Sequence, residues 1–190
     1  MPITDGTRKG VPLIDHIGTQ SKPAKPVLRR DRLDVVLINP NDRRQVYQQL
    51  HDISGIEPPT FLLLVAEYLR RKGVSVEVID QGPDNLSPEV IALMVRGLNP
   101  LLVGVFVYGY QPSASTQNMP AAQRICAAIK LDNPNQKIMM SGTHPAALPE
   151  QTLMNGNVDF VCDREGFTTI LELLNWLKAT KRPLGIYDEI

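Results

Sequence analysis

From Leu33 the chain alternates short apolar runs with longer amphipathic segments, and that rhythm restricts its fold to very few classes. "LDVVLIN" (33–39) is a continuous apolar run with β-branched residues, the mark of a strand buried on both faces. "TFLLLVAEYLRRKG" (60–73) places Phe61, Leu64, Val65, Tyr68 and Leu69 on one helical face, and basic residues close it. Gly73 stands where a C′ glycine belongs. "VSVEVID" (74–80) reads as the second strand. "SPEVIALMVRGL" (87–98) opens a helix with Ser87 as N-cap and Pro88 at the first helical position. "LLVGVFVY" (101–108) is the third strand. The helix after it is expected from about Asn118 to Leu131, because a proline such as Pro120 fits only a first turn. "KIMMSG" (137–142), a short helix "LPEQTLMNG" (148–156), "VDFVC" (158–162) and a last helix "FTTILELLNWLKA" (167–179) complete the series. Five strands alternating with five helices predict an α/β fold: a doubly wound, five-stranded parallel sheet with helices on both faces.

In such sheets ligands bind outside the carboxyl ends of the strands, near the switch in strand order. Four unusual loops fall on that edge: "NPNDRRQVYQQLHDISGIEPP", "GYQPSASTQ", "SGTHPAALP" and "DREG". The opposite edge has the plain connections "RKG", "RGLNP", "DNPNQ" and "NGN". The asymmetry points to a binding site on the carboxyl edge. Its usual occupants are not supported. The first strand–helix turn, "NPNDRR", has no GxGxxG, and neither a phosphate-binding GxxxxGK[ST] nor a GxSxG elbow occurs. The acidic cluster, aspartate and lysine of a phosphate-receiver domain are replaced by Asn39, by Tyr108 with Gly109, and by Thr143 with His144. What remains is small polar side chains and tight backbone. Gly142 would let a main chain approach closely, and Thr143 and His144 offer hydrogen bonds. An ordinary polar β–α turn at "SGTHP" and an N-cap cluster at "QPSAST" stay open as plainer readings.

Twenty basic and twenty acidic residues cancel, so net charge gives no support for a nucleic-acid partner. The charge is unevenly spread: residues 1–30 carry six Lys/Arg against two Asp/Glu. Those residues also hold four prolines and no apolar period, so residues 1–32 read as a flexible basic arm. Residues 33–180 form the domain and 181–190 a C-terminal tail. No run of eighteen apolar residues would span a membrane, and no signal-peptide core stands near the start. Cys126 and Cys162 form neither CxxC nor a zinc pattern. They read as small buried hydrophobes in a reducing compartment, which gives a cytoplasmic expectation.

Taken in series, "LINP…GIEPPTFLLLVAEYLRRKGVSVEVID", "VGVFVYGYQPSASTQNMPAA", "MMSGTHPAALPEQTL" and "VDFVCDREG" resemble the cobalamin-binding domain of B12-dependent radical SAM enzymes over residues 33–180. The resemblance implies a Rossmann-like (flavodoxin-like) sheet with cobalamin across the carboxyl ends of its strands and the nucleotide tail in a slot beside the sheet. It implies that Tyr108, Gly109, Tyr110, Gln111, Ser113, Ser115, Thr116 and Gln117 line that slot as a lip. Gly142, Thr143, His144 and Pro145 match the family's G-G-x-H-P turn, with Ser141 in place of its first glycine. Glu165 and Gly166 match the end of a G-E-G turn, with Arg164 where its first glycine would stand. The loop from Asn39 and Pro40 through Glu57 would face the lower side of the corrin.

The chain also departs from its relatives. In methionine-synthase-type domains a D-x-H-x-x-G histidine ligates cobalt; "QLHDISG" has Gln49 for the aspartate and Ser54 for the glycine. His51 is therefore not expected as a metal ligand, and no catalytic residue is expected in the chain itself. The CxxxCxxC that holds a [4Fe-4S] cluster in radical SAM chemistry is absent. The resemblance thus implies the corrinoid-holding fragment of a longer enzyme, a methyltransferase, whose radical SAM domain in the same polypeptide would bind the cluster and S-adenosylmethionine. A ligand-free regulatory or protein-interaction module of the same fold is the alternative. A self-standing α/β enzyme has less behind it, since no triad or metal cluster is visible and the Asp52/Glu57 and Asp163/Glu165 pairs read as solvated or capping.

Overall fold

The computed structural model describes residues 32–41, 58–108, 112–179 and 186–188, with the backbone alone at 112–113 and 186–188. In chain order the strands are β1 (Leu33–Asn39), β2 (Val76–Asp80), β3 (Pro100–Val107), β4 (Ile138–Gly142), β5 (Phe160–Cys162) and β6 (Ile186–Asp188). The helices are α1 (Thr60–Arg71), α2 (Gln81–Asp84), α3 (Pro88–Leu98), α4 (Pro112–Asp132), α5 (Thr143–Ala147), α6 (Pro149–Asn155) and α7 (Phe167–Ala179). The sheet order is β2-β1-β3-β4-β5-β6. The first five strands are parallel, as the alternation of elements predicts. The sixth, in the expected tail, pairs antiparallel with β5 and extends the sheet by one strand.

Alternation along β1 and β3 divides the core in two. Val35, Leu37, Leu102 and Phe106 face the side covered by Val65 and Leu69 of α1 and by Ile170, Leu173 and Leu174 of α7. Val36, Ile38, Val103, Val105 and Val107 face Ile91 and Val95 of α3 and Ala122, Ile125 and Ile129 of α4. β1 and β3 are buried on both faces, which is why they read as unbroken apolar runs rather than alternating ones. Each fully buried Leu, Ile or Val contributes about 1.5–3 kcal/mol. Gly104 lets α7 approach β3: a Cβ there would lie 3.1 Å from Leu37 and 3.3 Å from Ile170.

Local signals set the boundaries. Gly73 adopts φ 81° after α1, and the Ser87 hydroxyl accepts from the Val90 amide at 3.3 Å. At the amino edge of the sheet a polar clasp fixes the floor. Asp34, the second residue of β1, takes the Ser75 amide at 2.9 Å, the Ser75 hydroxyl at 3.0 Å and the Lys178 ammonium at 2.5 Å. Burial pushes the Asp34 carboxyl up, but the hydrogen bonds from Lys178 and Ser75 outweigh it and hold it below its ordinary value.

The helix after β3 corrects the expected start near Asn118. It begins at Pro112, so Ser113, Ser115, Thr116 and Gln117 lie on its first turns rather than in a loop, and Pro120 is internal. A proline at the first position suits a helix start, while Pro120 cannot donate to the Thr116 carbonyl. The "SGTHPAALP" turn likewise contains a helical turn, α5.

Candidate functional site

The strand order reverses between β1 and β3, so the switch point lies at the carboxyl ends of those strands, where Asn39, Pro40 and Tyr108 stand. Asn39 donates to the Asp80 carboxylate across the β1–β2 ends at 2.9 Å. The same Asp80 oxygen accepts from the Gly82 amide at 3.3 Å, and Gln81 accepts from the Asn41 amide at 2.9 Å. The "QGPD" turn thus belongs to this edge as well. Sequence reasoning passed over it, although its glycine was a signal: a Cβ on Gly82 would lie 2.9 Å from the Asn41 side chain.

Between β3 and β4 the edge is held by a bonded junction. Ser115, fully buried on the first turn of α4, donates to the Val107 carbonyl at 2.5 Å and accepts from the His144 amide at 3.0 Å. Above it Thr116 Oγ1 meets His144 Nδ1 at 3.0 Å. Gly142 sits at φ 147°, and a Cβ on it would come within 2.2 Å of the Val107 carbonyl oxygen. The close approach that this glycine permits is made by the chain's own backbone. Pro145 is buried, Thr143 and Gln117 are exposed, and His144 is half-buried.

On the other side of the sheet the edge is aromatic. The Phe61 ring lies 4.4 Å from Tyr108 and 5.3 Å edge-on from Phe167. Phe106 stacks 6.2 Å from Tyr108, and Tyr68 meets Phe167 edge-on at 5.6 Å. Burial first, and then Cys162 and Glu165, push the Tyr108 phenol above its ordinary value against a hydrogen bond with Ser141. Gly166 turns at φ 88° directly under this cluster, where a Cβ would lie 3.2 Å from Phe106 and 3.4 Å from the Ser141 hydroxyl. Ser141 and Cys162 both donate to the Arg164 carbonyl, at 3.3 and 3.2 Å, which pins the β5 turn; Glu165 points outward, exposed. Beside it the Asp163 Oδ1 is buried with no hydrogen-bond partner.

The edge therefore brings Ser115, Thr116, Gly142 and His144 into one junction and Tyr108, Ser141 and Gly166 into another. His51, Glu57, Gly109, Tyr110, Gln111 and the Ser113 side chain lie outside the described residues. Both cysteines are free and buried, and burial pushes the Cys126 thiol up to about 12, which makes it an inert core residue. Among the described residues no group of His, Cys, Asp or Glu could hold a metal ion, and no helix is long and apolar enough to cross a membrane.

A parallel sheet of this order, with its polar and glycine turns gathered on the carboxyl edge, defines a Rossmann-like ligand-binding domain. Comparison narrows the class. The B12 binding domain family matches residues 50–174, about two thirds of the chain, and the chain belongs to that family. Among solved structures it is similar to the radical S-adenosylmethionine methyltransferase TsrM from Kitasatospora setae, solved with cobalamin and a [4Fe-4S] cluster bound, at 17% identity and TM-score 0.65. The cobalamin-dependent S-adenosylmethionine radical enzyme OxsB, with aqua-cobalamin and S-adenosylmethionine bound, is similar at 20% identity and TM-score 0.59. The aligned region covers 84% and 82% of this chain but only 27% of TsrM and 20% of OxsB. The response regulator RcsB of Salmonella typhimurium also aligns, at 13% identity and TM-score 0.50 over 82% of this chain and 65% of its own. These likenesses show the fold. No curated protein matches the chain in sequence.

Proposed function

We propose that this domain holds cobalamin across the carboxyl edge of its sheet and serves as the corrinoid-binding part of a B12-dependent radical SAM enzyme, a methyltransferase. The observation that carries the reading is the family match over residues 50–174. The donor set at the edge suits the group. It is rich in small polar side chains and backbone, its Asp80 carboxylate is taken up by Asn39 and the Gly82 amide, and Asp163 Oδ1 is buried without a hydrogen bond, with Arg164 Nε 3.9 Å away. A large ligand bordered by amide N–H groups meets such a surface with hydrogen bonds rather than charge. When bound, the corrinoid would supply the methyl-transfer chemistry. The chain's own residues bind and orient: Asn39 and Pro40 at the switch point, Tyr108 as a neutral phenol, the Ser141–Pro145 turn, and Glu165 with Gly166 on the β5 turn. The [4Fe-4S] cluster and S-adenosylmethionine would belong to a radical SAM domain of the same polypeptide.

The test is a titration of the purified chain with hydroxocobalamin, followed by its visible spectrum. Saturable binding with a base-off spectrum, and no imidazole on cobalt, is the expected result. An imidazole-ligated spectrum would revive His51 as a metal ligand. A second reading, a ligand-free interaction module, has one observation behind it: Ser115 and Asn39 spend their side chains on internal bonds. Absence of any saturable spectral change would favour that reading.

A further inference from the structure

Ser115 is fully buried, and both its bonds go to backbone: its hydroxyl proton to the Val107 carbonyl at the end of β3, its oxygen to the His144 amide at the start of α5. Nothing of it faces the open edge. Thr116 and His144 bridge the same gap one residue further out, at 3.0 Å. Eight positions into α4, Pro120 interrupts the helix. Having no N–H, it leaves the Thr116 carbonyl without its helical donor, so the turns before it are coupled to the rest of α4 by a ladder with a missing rung. Each feature alone is a structural detail. Together they describe a short helical lip, the first two turns of α4, that is weakly joined behind and tied in front to two strand ends by one buried hydroxyl.

Resting on the cobalamin reading above, we propose that Ser115 is a positioning residue rather than a ligand contact: it latches the first turns of α4 to β3 and α5, and the latch slows corrinoid release. Interface and ligand affinities vary mostly through the off-rate, and preorganising a lip acts there. The latch exists without ligand, so it can be tested without ligand.

Three variants decide it: S115A, P120A and the double variant. Pro120→Ala restores the N–H that the Thr116 carbonyl lacks and stiffens the lip from behind. In the chain without ligand, Ser115→Ala should speed amide exchange at His144 about tenfold while Val36 and Val105 in the central strands stay unchanged, as expected for one hydrogen bond lost locally. Hydroxocobalamin should then leave S115A about tenfold faster than wild type, with an unchanged bound spectrum. The double variant should recover most of that retention, because a stiffened lip needs the latch less. Equal exchange at His144 in S115A and wild type would overturn the latch. A double variant as leaky as S115A would also overturn the assignment, because stiffening the lip would then not hold the corrinoid. If wild type takes up no hydroxocobalamin, the retention part falls with the cobalamin reading, and His144 exchange still decides whether the latch exists.

Discussion

Gly142 and Gly97 show how differently one residue type is used. At Gly142 φ is 147° and the space a Cβ would need holds the Val107 carbonyl oxygen, 2.2 Å away. Gly142→Ala should therefore cost at least about 2 kcal/mol, since strain and a backbone clash combine there. At Gly97, exposed on α3, a Cβ would meet nothing within 4 Å. Gly97→Ala should stabilise by about 0.5–1 kcal/mol through helix propensity alone. Urea midpoints of the two variants, moving in opposite directions, check both. The sequence marks Gly142 as special, but it cannot say that the approaching group is the chain itself. That depends on Val107 lying beside Gly142 in the register of β3 and β4.

Elements were legible in proportion to the length of their pattern. β1, β3, α1, α3 and α7 carry long apolar signals or clear caps, and their positions match the periodicity. The start of α4 was not legible, because a proline inside a helix costs about 3 kcal/mol and "PSASTQNM" has no apolar stripe to oppose that rule. The compensation comes from Ser115, whose partners lie on β3 and α5 and cannot be seen locally. β6 is three residues long and exists only against β5. The aromatic cluster draws Phe61, Tyr108 and Phe167 from three elements, so no window of sequence contains it. The Asp34 clasp is an element-scale tie of the same kind, joining β1, the turn after α1 and the end of α7. A carboxyl held below its ordinary value of 3.8 contributes stability above that pH, and loses it as pH falls through the lower folded value. Asp34→Asn should cost about 1–3 kcal/mol at neutral pH, and it should flatten the fall in stability below pH 3.8 relative to wild type. Thermal melts across the acid range measure both effects.

For the whole molecule, the arrangement separates a floor closed by charge from a rim of a different character. The amino edge is closed by ion pairs, Asp34 with Lys178 and Asp159 with Lys130 and Lys137, while the carboxyl edge carries glycines, rings and small hydroxyls. We expect removal of residues 1–31 to leave hydroxocobalamin binding within about threefold of wild type, because the family match begins at residue 50 and the described domain at residue 32. A titration of the shortened chain is the measurement, and loss of binding would assign the arm to the site.

The place of β1 in the sheet has a kinetic consequence. β1, the first of the described strands, lies between β2 and β3, and its link to β3 spans the distance at which Arg32 donates to Pro100, 68 residues along the chain. Until Pro100 has been made, β1 has only β2 to pair with. Folding must therefore close a long loop before its most buried pairing forms, which places refolding from urea in roughly the millisecond-to-second range of non-local topologies rather than among the microsecond folders. Stopped-flow fluorescence of Trp176, packed edge-on against Phe160 at 5.9 Å, would follow it.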